Sequence, residues 1–283
     1  MPAKSILINV HFRVIYNLVL CHLGFPSRLD EYQNRRVNDA SHFGTLLCQR
    51  DQRAWARRFG STRLYPMGEH RQEFQRELEA IEAKVIELFA MVAEDLPAAT
   101  QALLHGDHEV VRVLAERDQV IDTLYPEIEE LVNREILLQA PVAADLRFLL
   151  SVLRIVPELE RSHDLVLEIA ARANHILSED LSPRSRGFVE QMGILSSGMW
   201  RQAVDSWYQR DRSVALVLDG RDDEMDELHS SLLAELASGR MALPVTMEMT
   251  LVARFYERLG DHAVNIARRV VYLAGSATDE PTG

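Results

Sequence analysis

The chain holds two cysteines in 283 residues, Cys21 and Cys48, and both fall within its first 66. Everything after residue 66 therefore needs no disulfide and suits a reducing compartment, the cytoplasm. No apolar run approaches the ~18 residues that a membrane-spanning helix requires, which leaves any membrane association peripheral, through partners only. Strand-like alternation and a glycine-rich phosphate loop are both missing. No Ser-His-Asp or Cys-His arrangement can be read, so the chain is expected not to be an enzyme. An excess of positive charge is lacking too. The net charge of −12 argues against direct nucleic-acid binding.

What is present is apolar and unevenly charged. Hydrophobic residues make up 47% of the chain, enough for a sizeable core. Residues 1–66 hold 10 Lys and Arg against 4 Asp and Glu, a balance of +6. Residues 67–283 hold 21 against 39, a balance of −18. The two parts read as different material. The apolar patch from Ile6 to Leu23 is interrupted by Asn9, His11, Arg13 and Asn17, and no cleavage site follows it. Residues 1–66 are therefore expected to be a basic, poorly packed extension. Met67-Gly68-Glu69 reads as an alternative protein start, which would make the extension an artefact of gene prediction. The competing reading is a basic tail that touches membrane or nucleic acid.

From Glu69 onward apolar residues recur at three- and four-residue steps, the period of amphipathic helices. Phe74, Leu78, Ile81, Val85, Leu88, Phe89, Val92 and Leu96 mark the first helix. Asp107 follows Gly106 and is placed to cap a second helix, over about 108–138. Pro141 marks the turn into a third, over about 143–177, and Pro157 is expected to kink it. Ser182-Pro183 opens a second set: about 184–209, then after a turn at Arg210-Asp211-Arg212 a helix to about 237 where Gly239 ends it, then about 245–274. The fold class expected is all-α, two tandem antiparallel three-helix bundles. Their ranges are 67–180 and 183–275, with residues 276–283 a flexible tail. Trp200 and Trp207 lie seven apart on one helical face and read as core.

The second set repeats the first. Asp107 aligns with Asp211, and Arg117-Asp118 with Arg221-Asp222. Glu160-Arg161 and Asp164 align with Glu257-Arg258 and Asp261. Each copy thus carries two acid pairs at four-residue spacing: Asp118 with Asp122 and Glu160 with Asp164, then Asp222 with Asp226 and Glu257 with Asp261. Such pairs share a helix face, and like charges there repel by a few tenths of a kcal/mol. If the helices face each other, four carboxylates converge in each copy. Those are hard oxygen ligands for Mg, Mn, Fe or Zn. All eight residues are candidate metal ligands. Arg161 and Arg258 could instead neutralise them, with Arg147 and Arg154 doing so in the first copy. His163 and His262 point about 100° away from the acids and are left out as ligands, reading instead as surface or interhelical hydrogen-bonding groups.

The chain resembles the PhoU family over about residues 67–274. The resemblance rests on Glu257-Arg258-Leu259-Gly260-Asp261-His262-Ala263 with Asn265-Ile266-Ala267, and on Gln139-Ala140-Pro141 with Asp145-Leu146-Arg147. It departs from the pattern at Ser162-His163, where the family has Ile-Gly, and at Glu168, where the second copy has Asn265. The resemblance implies a duplicated helical fold, metal clusters on the acidic motifs, and a homodimer. It also implies a regulatory role in phosphate homeostasis, as adaptor between a phosphate ABC transporter's ATPase subunit and a sensor histidine kinase. Glu160 and His163 also match the Glu-x-x-His spacing of carboxylate-bridged iron proteins, so an iron oxidase-like activity is the alternative.

Overall fold

The computed structural model describes residues 69–175 and 180–275; the expectations about residues 1–66 and 276–283 lie outside them. Among the described residues there are six α-helices and no strand. They are α1 (Glu69–His105), α2 (His108–Gln139), α3 (Ala143–Ala171), α4 (Pro183–Gln209), α5 (Val214–Ala237) and α6 (Leu243–Leu273). A 3-10 turn, Arg172–Asn174, follows α3.

Local chemistry sets most of the ends. The Asp107 side chain accepts from the backbone N–H of Glu109 and Val110 at 3.1 and 3.2 Å, which satisfies the free donors that open α2. Ser182 accepts from the Ser185 N–H at 3.0 Å, and Pro183 occupies the first turn of α4. Gly239, at φ +71°, takes the left-handed conformation just past α5. One end differs from expectation. α3 stops at Ala171 rather than near 177 because the chain tightens into the 3-10 turn, where His175 N–H reaches Arg172 O at 3.0 Å. Pro157 lies inside α3 without ending it. Pro141 is not the first helical residue; it sits between the left-handed Ala140, at φ 44°, and extended Val142.

Each set of three helices forms a bundle, and the two bundles share a core within Gln72–Gly283. Wholly buried Phe89 on α1 and Phe148 on α3 each hold a ring 6.1 Å from that of Trp207 on α4. Trp200 is also fully buried, and its indole N–H donates to Leu259 O on α6 at 3.1 Å. Thr100 on α1 and Tyr256 on α6 share a buried hydroxyl hydrogen bond of 2.8 Å. α4 passes close to α1 because Gly193 has no side chain. A Cβ there would lie 2.5 Å from Thr100 Cγ2. No described helix is long and apolar enough to cross a membrane.

Candidate functional site

In the second bundle, Asp222 and Asp226 on α5 face Glu257 and Asp261 on α6. Burial first, then the charges of Asp261, Asp226 and Glu257, push the Asp222 carboxyl up to about 6. Burial also raises Glu257, with Arg254 working against it. Arg254 pairs with one Glu257 oxygen, while the other, Oε2, is buried with no hydrogen-bond partner among the described residues. Gly260 makes the approach of α5 possible. A Cβ at that position would meet Asp222 Oδ1 at 2.8 Å and Met199 Cε at 3.5 Å.

The first bundle gathers its four acids in the same way. Burial raises Glu160, and Asp164, Asp122 and Asp118 add to it while Arg161 opposes. Burial raises Asp164 as well, followed by Asp118. Here, however, the place matching Gly260 is His163, whose imidazole is wholly buried. Its Nδ1 lies 3.1 Å from Asp118 Oδ1 and its Nε2 3.1 Å from Asp95 Oδ2. Burial opposes charge on the ring, but the bonds to Asp118 and Asp95 outweigh it and raise its pKa. Asp95, 1% exposed, is also paired with Arg117.

Asp95 escaped the sequence reading. It is a charged residue on the buried side of α1, next to Leu96, and that was the available signal. In the register that aligns Asp107 with Asp211, Asp95 corresponds to Met199. The first bundle therefore has Asp95, His163 and Asp118 where the second has Met199, Gly260 and Asp222. A polar triad in one copy replaces a methionine packed over a glycine in the other. His163 is one of the interhelical hydrogen-bonding groups expected from the sequence, reaching across to α2 and α1.

The acids thus lie within electrostatic reach of one another in both bundles. As the side chains stand, no group of three or more His, Cys, Asp or Glu among the described residues is gathered closely enough to hold a metal ion. Arg161 and Arg258 do not sit on the acid clusters alone. With Glu158, Asp261, His262 and Asn265 they line a cleft of about 420 Å³ between α3 and α6. His262 is buried there, and Ser162 Oγ lies 2.8 Å from its Nδ1. Burial, then Arg258 and Arg161, push this histidine down to about 4, so it is neutral near pH 7.

The PhoU domain model matches residues 85–173 and 189–270, one match on each bundle. A phosphate-specific transport system accessory protein, PhoU homolog 1 of Mycobacterium leprae, is 30% identical over 220 residues, 75% of this chain and 97% of that protein. The PhoU homolog of Pseudomonas putida is 31% identical over 206 residues, 71% of this chain and 80% of that protein. The crystal structure of PhoU from Pseudomonas aeruginosa superimposes with a TM-score of 0.66 at 30% identity, covering 71% of this chain and 98% of that one. The PhoU from Streptococcus pneumoniae gives 0.64 at 27% identity. With both bundles matched, and with curated relatives at this identity over nearly their whole length, the chain belongs to the PhoU family.

Proposed function

We propose that this protein is a non-enzymatic regulator of phosphate uptake and of the phosphate-starvation response. It would act in the cytoplasm as a homodimeric adaptor between a phosphate ABC transporter's ATPase subunit and a sensor histidine kinase. The observation that carries the reading is the match to the PhoU model on both bundles, backed by relatives named as accessory proteins of phosphate-specific transport. Long helices with exposed outer faces suit docking by helix contact. The acidic charge of residues 67–283 favours basic partner surfaces and makes association salt-sensitive. Deleting the gene should leave cells behaving as phosphate-starved in phosphate-rich medium. Normal repression of phosphate genes in that strain, with no paralogue to substitute, would exclude the role.

The acidic clusters would serve this function as metal sites, and the second is the better suited. Its donors are all hard oxygens, and Glu257 Oε2 is buried and unpaired. A bound Mg, Mn, Fe or Zn ion would supply positive charge to offset the mutual repulsion of Asp222, Asp226, Glu257 and Asp261. In the first cluster Asp118 is already held by His163. The same contact weighs against an iron oxidase reading, since both nitrogens of His163 are occupied by carboxylates. Metal analysis of purified protein and of the Asp222→Ala/Glu257→Ala variant tests the site. Equal metal in the two would remove it.

A further inference from the structure

α3 and α6 run antiparallel, and their seam is charted by three contacts. Arg269 Nη2 donates to Leu150 O at 3.2 Å, Ser162 Oγ meets His262 at 2.8 Å, and Arg172 Nε meets Glu248 at 2.8 Å. Four arginines flank this seam. Arg154 and Arg161 on α3 are seven residues apart, so they share a face and stand roughly 10 Å apart along the axis. Arg258 and Arg269 lie on α6 with Asn265 between them in sequence.

The balance of charge along the seam is unusual for so acidic a body. Burial, then the charge of Arg154, lower the Arg269 guanidinium, while Tyr272, whose ring centroid lies 4.3 Å from it, works against them. At the other end Arg258 and Arg161 line one cleft between the two helices. Among the described residues, neither Arg154 nor Arg258 has an ion-pair or hydrogen-bond partner. Arg161 has only an exposed contact to Glu158 at 3.1 Å, and such exposed pairs are weak. Arg269 Nε is buried without a partner. Residues 67–283 carry 39 acids, yet among the described residues no carboxylate pairs with Arg154 or Arg269.

We propose that the α3–α6 seam binds a phosphoryl oxyanion, gripped by Arg154 and Arg269 at one end and by Arg258 and Arg161 at the other. A guanidinium offers a planar fork of donors that matches phosphate oxygens, and two facing forks share one group with several oxygens better than they share a carboxylate. Asn265 adds a neutral donor in the cleft. Glu158 and Asp261 line that same cleft and repel anions. A single small anion therefore settles at the Arg154–Arg269 end, and a chain of phosphates is needed to reach Arg258.

Calorimetric titration of the full chain with orthophosphate and with tripolyphosphate tests this, with sulfate matched in ionic strength as background. Arg154→Gln and Arg258→Gln remove exposed, unpartnered charges and should leave melting unchanged. Each should weaken tripolyphosphate binding by about tenfold or more. Arg112→Gln, on exposed α2, should not. Loss confined to Arg154→Gln with orthophosphate identifies the ligand as free phosphate. Loss in both variants with tripolyphosphate alone identifies an extended chain. Absence of binding to the unmodified protein, or equal weakening by Arg112→Gln, overturns the proposal.

Discussion

His163 shows how one residue can divide two otherwise equivalent sites. It fills the space that Gly260 leaves open in the second bundle, and it ties Asp118 to Asp95. Removing it leaves Asp95 at 1% exposure with Arg117 alone. His163→Ala should therefore destabilise the fold by about 2–4 kcal/mol in urea unfolding, the usual consequence of stranding a buried charge. Pairing Asp95→Met with His163→Gly copies the second bundle and should recover much of that loss, because both ends of the buried contact disappear together. If the double variant is as unstable as the sum of its parts, the two residues do not form one unit. His262 makes a separate prediction. Its folded pKa of about 4 lies below the ordinary value of 6.5, so the unfolded chain takes up its proton first as pH falls. The stability this histidine contributes is full above about pH 6.5 and is lost between there and pH 4. His262→Gln should flatten that slope in chemical unfolding measured across the window.

At the scale of helices, close approach depends on residues without side chains. Gly193 lets α4 lie against Thr100, which cannot swing away without breaking its bond to Tyr256. Gly193→Ala should cost about 1–3 kcal/mol by overpacking. Gly260→Ala should behave differently. The atom that its Cβ meets is the end of the Asp222 carboxylate, which can rotate toward solvent. A small change in melting temperature is expected, with reduced metal loading as the larger effect. A fall in stability as large as that of Gly193→Ala would show that Asp222 is held rigidly.

At the scale of the molecule, the two bundles are coupled by buried contacts. Trp207 packs against Phe89 and Phe148 of the other bundle, and Tyr256 bonds to Thr100. A chain beginning at Met67 should unfold in one cooperative transition, with a melting temperature close to that of the full chain. Residues 67–180 alone should not fold stably, since they would expose the faces that meet α4 and α6. Two separate calorimetric transitions would show that the bundles are independent.

The helices, their turns and the duplication are legible along the chain alone. Caps such as Asp107 and Ser182 act within a few residues of themselves, and an apolar period of 3.6 is a local property. The acid pairs at four-residue spacing were legible for the same reason. What faces them depends on how the helices pack. Asp95 meets His163 across 68 residues of chain, and Arg269 reaches the Leu150 carbonyl of the other bundle. Such meetings depend on the rotation and register of packed helices, which are set by the whole core. Spacing along one helix carries no record of them.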